Sequence, residues 1–127
     1  MPDKGAVVDA SAAAALLFGE PDGPKVATSL DGRHLFAPSL LRYELASVCL
    51  KKTRQNPNQE PAILAALGLF PRLGIQEVLV PLEPLVDLAR RTSLTTYDAA
   101  YLWLARELRV GLVSLDTRLN EAKDKLG

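Results

Sequence analysis

A chain of 127 residues, 48% hydrophobic and with little low-complexity sequence, is long enough to bury one core and suits a single domain spanning residues 1–127 rather than several domains or a disordered segment. Fifteen basic residues cancel fifteen acidic ones, so no overall positive field advertises nucleic acid, and any such contact needs a local patch. The one cysteine, Cys49, excludes an internal disulfide and a cysteine-rich zinc site, and it fits a reducing cytoplasm.

The chain opens with Pro2, Asp3 and Lys4, and Asp9 cuts the next apolar stretch before it could form a signal-peptide core, so no secretion signal is expected. Ala6 to Val8 predicts a strand and Ala10 to Phe18 a helix. The longest apolar run, Ala12 to Phe18, falls far short of the ~20 residues that cross a bilayer, so no membrane contact is expected. Asp22-Gly23-Pro24 starts a second short helix that Asp31-Gly32 closes, and His34 to Ala37 predicts a second strand. Pro38-Ser39 opens a long helix to about Arg54, with Leu41, Leu45, Val48 and Cys49 as its apolar stripe and Lys51, Lys52 and Arg54 at the end where positive charge suits the helix dipole. After the break at Asn56-Pro57-Asn58, a helix from Pro61 runs through Leu64, Leu67 and Phe70 to about Gly74. Gln76 to Val80 is the third strand, Pro84 begins a helix through Arg91, and Thr95 or Thr96 caps another through Leu108. Gly111 to Leu115 is the fourth strand, before a last helix from Thr117. Short apolar strands alternating with helices predict a three-layer α/β/α sandwich with a mainly parallel sheet, whose ligands gather at the carboxyl ends of the strands.

Four carboxylates stand out. Asp9 and Asp116 each follow an apolar strand and precede a helix, which puts both on the sheet's carboxyl edge, although an aspartate there is also an ordinary helix cap. Asp98 lies three residues after Thr95, a spacing that resembles a capping box. Glu44 shares a helical face with Leu41, Leu45 and Val48, so it should point inward, where a carboxylate needs a cation, a donor or a proton. Arg42 and Lys51 are available for a structural ion pair, and that reading stays open beside the functional one. Taken together, the four acids can converge as oxygen ligands for a hard divalent cation, with Mg2+ fitting best. Without one, their mutual repulsion would reach ~4 kcal/mol per pair at ~4 Å in an effective dielectric near ~20, until proton uptake relieved it.

The chain resembles the PIN-domain nucleases, and among them the VapC-type toxins of prokaryotic toxin-antitoxin pairs. The marks are Val7-Val8-Asp9-Ala10-Ser11, Tyr43-Glu44-Leu45-Ala46 after Pro38-Ser39, Tyr97-Asp98-Ala99-Ala100-Tyr101-Leu102 and Ser114-Leu115-Asp116-Thr117-Arg118-Leu119, in an order and context that span nearly the whole chain. The resemblance implies hydrolysis of RNA phosphodiesters with Mg2+ or Mn2+, with Asp9, Glu44, Asp98 and Asp116 as direct or water-mediated ligands and water as the nucleophile. It further implies supporting roles for the hydroxyls of Ser11 and Ser114, a homodimer, a VapB-like antitoxin that obstructs the acidic pocket, and a cytoplasmic location. One departure is that family members commonly add a short strand after the last helix, whereas this chain stops at Gly127.

Other chemistry finds less support. A ribonuclease with two catalytic histidines is excluded because His34 is the only histidine. Cys49 reads as a core thiol, and neither a P-loop nor a GxGxxG is present. Lys51, Lys52, Arg54, Arg90, Arg91, Arg106 and Arg118 are solvated charges by default, with Arg118 the first choice for a phosphate contact. The alternatives are a Mg2+-dependent phosphate-handling domain, either an aspartyl phosphatase or a receiver, and a noncatalytic interaction module. The phosphatase pattern wants an aspartate where this chain has Ser11, and a receiver would pair two adjacent acids.

Overall fold

Strands covered on both faces must be apolar at every position, and Gly5–Val8 (β1), with all four residues buried, sits in the middle of the sheet for that reason. The computed structural model describes residues 4–126. After β1 come α1 (Ala10–Leu17), α2 (Gly23–Leu30), β2 (His34–Pro38) and α3 (Leu41–Gln55). A tight helical turn, Pro57–Gln59, leads into α4 (Glu60–Leu67), and a second such turn, Phe70–Leu73, into β3 (Ile75–Val78). Next are α5 (Leu82–Thr92), α6 (Thr96–Leu108), β4 (Gly111–Val113) and α7 (Thr117–Leu126).

The four strands are parallel and lie in the order β3-β2-β1-β4, with Val7 paired to Phe36 on one side and to Leu112 on the other. From β1 to β3 the chain steps outward in one direction, and the return to β4 steps the other way. Right-handed crossovers therefore place α1 to α4 on one face and α5 and α6 on the opposite face. The contacts agree: α1 packs on α2 and α3, and α6 lies across β1, β2 and β4. One apolar cluster joins the layers, with Val7, Val8, Leu41, Leu45, Leu102, Leu104 and Leu119 almost wholly buried. Gly23 lets α2 approach α1 closely, since a Cβ there would stand 2.8 Å from the Ala15 carbonyl oxygen.

Every predicted strand and helix is present in the predicted order, but several boundaries move. The helix expected from Pro61 through Phe70 ends at Leu67, and the chain finishes that stretch as a separate tight turn closed by Gly74 in the left-handed region, φ 67°. Leu64, on the exposed side of that helix, is half exposed. β3 spans Ile75–Val78 rather than Gln76 to Val80, because Val78 makes the last sheet contact and Leu79 turns out to solvent. β4 stops at Val113 rather than Leu115 because the next backbone N-H groups are claimed by side chains. Leu115 N-H donates to Ser11 Oγ and Asp116 N-H to Ser114 Oγ, both at 2.9 Å. His34 is exposed, and Cys49 is buried, as its reading as a core thiol requires. The expected place of an additional last strand, at and beyond Gly127, lies outside the described residues.

Candidate functional site

The strand order reverses between β1 and β4, and the carboxyl ends of the two strands at such a switch point are the usual ligand position in an open parallel sheet. Asp9 leaves β1 and Asp116 leaves β4 at that edge, and Asp9 N-H still bonds the Val113 carbonyl at 3.2 Å.

Asp9 is the one buried charged side chain among the described residues, 4% exposed, and its two oxygens are held from three directions. Oδ1 caps α1 by accepting Ala12 N-H at 2.9 Å and also accepts the Ser11 hydroxyl at 2.7 Å, while Oδ2 accepts the Ser114 hydroxyl at 2.6 Å. Each serine oxygen is itself occupied by a backbone N-H, from Leu115 and Asp116 respectively, so each hydroxyl proton is committed to Asp9. Asn120 on α7 fixes the Ser114 carbonyl at 2.9 Å. Three donors would ordinarily depress a carboxyl pKa, yet burial outweighs them and, with the charge of Asp116, raises that of Asp9. The hydroxyls expected to support the site, Ser11 and Ser114, are thus the groups that orient Asp9.

Asp116 also caps a helix, with Oδ1 accepting Leu119 N-H at 2.9 Å. Asp98, half-buried in the first turn of α6, has its own N-H capped by Thr95 Oγ1 at 3.0 Å. Burial and the charge of Asp116 raise the Asp98 pKa, opposed by the Thr95 hydroxyl and by Arg118. Arg118 is exposed and close enough to Asp98 for its charge to be felt there. For Asp116 the capping explanation and the site explanation are therefore compatible, because its cap uses Oδ1 alone.

Glu44 decides its open alternative. Arg42 forks onto Glu77 of β3 at 2.9 and 2.6 Å, and Lys51 is exposed, so neither serves Glu44. Its partner is the hydroxyl of Tyr101, which donates to Oε1 at 2.5 Å from the buried face of α6. Burial is the main cause of a raised Glu44 pKa, with Asp98 and Asp9 adding to it against the Tyr101 bond. Burial and the same three acids push the Tyr101 hydroxyl far up, so it remains a donor at any physiological pH.

The four acids are coupled in a closed ring, Asp9 with Asp116 and Glu44, and Asp98 with Glu44 and Asp116. Among the described residues, however, no three His, Cys, Asp or Glu side chains are grouped tightly enough to grip one ion directly. The arrangement is loose because Asp9 and Asp116 each turn an oxygen to a helix end and Glu44 turns one to Tyr101. An all-oxygen donor set of four acids fits a hard cation that keeps part of its water, as Mg2+ does. Such an ion would be held partly through water by Asp9, Glu44, Asp98 and Asp116.

Tyr101 went unrecognised in the sequence, although a tyrosine on an otherwise Ala- and Leu-rich inner helical face signals a hydroxyl in need of a partner. Tyr101→Phe removes only that hydroxyl. The variant is expected to fold, and to lose about ten- to a hundredfold in divalent-ion affinity, measured by Mn2+ titration, because supporting groups of ligands typically carry that much. Unchanged affinity would reduce Tyr101 to packing.

An oxygen-only acidic ring at the switch point of a parallel sheet defines a class of α/β domain suited to divalent cations. The chain belongs to the PIN-domain family, whose model matches residues 6–125, and PIN domains are generally metal-dependent nucleases acting on nucleic acid. The phosphatase and receiver alternatives fall away with that assignment. Among solved structures, the chain is similar to PAE2754 from Pyrobaculum aerophilum, with a TM-score of 0.75 and 23% identity over 96% of this chain and 91% of that one, a likeness of fold. No curated protein sequence matches the chain. Among the described residues, no helix is long and apolar enough to cross a membrane.

Proposed function

We propose that this protein is a Mg2+- or Mn2+-dependent endoribonuclease, contained in one domain over residues 1–127, and the toxin of a VapBC-type pair. The observation that carries the nuclease reading is the ring of four coupled acids, three of them with pKa raised despite their hydrogen bonds, and with Arg118 the one basic side chain that opposes the rise. Such a ring favours a cation strongly. When bound, a divalent ion supplies a Lewis acid for the phosphoryl oxygen and a more acidic water. The chain's own part is orientation: Ser11 and Ser114 hold Asp9, Tyr101 holds Glu44, and Thr95 holds the turn that carries Asp98. Arg118, exposed and near enough to Asp98 for their charges to interact, is the residue proposed to meet a phosphate oxygen.

The toxin role rests on the sequence motifs quoted above and brings with it a cytoplasmic homodimer and a VapB-like antitoxin that covers the acids. A short open reading frame for a DNA-binding antitoxin immediately upstream, with growth arrest relieved by its co-expression, is the expected result for that role.

The nuclease test is cleavage of single-stranded RNA. Wild type with Mn2+ is expected to cut it, chelation to stop the reaction, and Asp98→Asn to fall well below wild type. Equal activity in both proteins would expose a contaminant. Tight RNA binding with no cleavage under any divalent ion would favour the noncatalytic module.

A further inference from the structure

We propose that the groove between α3 and α6 beside Glu44 is a subsite for one unpaired nucleobase of the substrate strand, stacked on Tyr43 and Tyr97; the inference rests on the nuclease reading and extends it to the substrate. Each tyrosine immediately precedes an acid of the ring, Glu44 on α3 and Asp98 on α6. Large aromatic side chains are normally covered, yet Tyr43 is 70% exposed and Tyr97 64%. Both line one groove of about 610 Å³, within the size range of small-ligand sites.

The lining selects the ligand. Leu40 and Val48 make it apolar, Ser47 offers one hydroxyl, and the sole charged lining residue is Glu44. A phosphate would be repelled there, whereas the flat, uncharged face of a base would cover both rings, and a base edge could bond the Ser47 hydroxyl. Because Glu44 belongs to both the groove and the acidic ring, a base seated in the groove brings its neighbouring phosphate to the acids. Bases in a duplex have their faces already stacked, so the groove selects unpaired strand. Stacking is tolerant of base identity, so weak sequence preference is expected at this position.

The test pairs protein variants with substrate variants. Tyr43→Ala with Tyr97→Ala is compared with the corresponding Phe pair, on a short single-stranded RNA and on copies with one abasic position near the cut. The Ala pair is expected to raise KM roughly five- to a hundredfold with a smaller change in kcat, and the Phe pair to stay near wild type. One abasic position should penalise the wild type and not the Ala pair, and equal melting temperatures would show that the variants fold. Unchanged KM in the Ala pair, or the same abasic penalties in both proteins, would overturn the subsite. Should wild type cleave no RNA, the nuclease reading fails by itself, and the groove is then read by quenching of a 2-aminopurine strand. Quenching by wild type and not by the Ala pair upholds the subsite; no quenching overturns it.

Discussion

Asp9→Asn is expected to lower RNA cleavage by at least about a hundredfold while making the metal-free protein more stable. The activity estimate follows because changes to groups that merely support metal ligands already cost ~10- to 100-fold, and Asp9 is the acid that the supporting groups hold. The stability gain follows from the Asp9 environment. The side chain is buried, its charge is repelled by Asp116 and Glu44, and burial together with the charge of Asp116 outweighs three hydrogen bonds in raising its pKa. Asparagine keeps the carbonyl oxygen that takes Ala12 N-H and the Ser11 hydroxyl, and it caps helices about as well as aspartate. Its amide can donate to Ser114 Oγ in place of the bond that Asp9 accepts. The charge leaves and most of the geometry stays. If Asp9 were only a cap, the variant would cleave RNA and respond to Mn2+ as wild type does, and that result would remove Asp9 from the site.

The second large effect is a coupling between pH and divalent metal. Asp9, Glu44 and Asp98 have raised pKa values in the folded protein, from ordinary values of 3.8 for Asp and 4.5 for Glu. As pH rises from those ordinary values toward the raised ones, the unfolded chain releases protons that the fold still holds. Stability therefore falls with rising pH through that window and stays at its lower level above it. The surface pair Arg42–Glu77 acts in the opposite sense, with Glu77 lowered, but solvent screens it. Without metal, the melting temperature is expected to be higher in mild acid than at neutral pH. Mg2+ or Mn2+ at about a hundredfold over Kd should restore ~2.7 kcal/mol at neutral pH, roughly 5–15 °C in melting temperature, and have little effect in acid, where the ligands are protonated. Scanning calorimetry across pH with and without the ion reads both limbs. A metal response that grew on acidification would contradict the acidic site.

Local residue patterns carried the list of elements and the identity of the four acids. Alternating apolar runs and helix starts at Pro24 and Thr95 are short-range chemistry, so the order of strands and helices could be read without knowing what touches what. The two long-range partners could not. Glu44 meets a hydroxyl 57 residues away and Asp9 one 105 residues away, and nothing near Glu44 distinguishes Tyr101 from the charged neighbours Arg42 and Lys51 that stood open for it. The end of β4 was misread for the same cause, since the N-H groups that stop it are taken by serine side chains, one of them on α1.

Periodicity and capping chemistry depend on residues within a turn or two of one another, and that was enough to place Asp9 and Asp116 at strand ends and Glu44 on an inward helical face. Tertiary structure alone put β4 beside β1, because strand order depends on which way each crossover steps and no local pattern records it. That neighbour relation brings the two aspartates to one edge, lets α6 carry Asp98 and Tyr101 to them, and leaves Tyr43 and Tyr97 on a common groove.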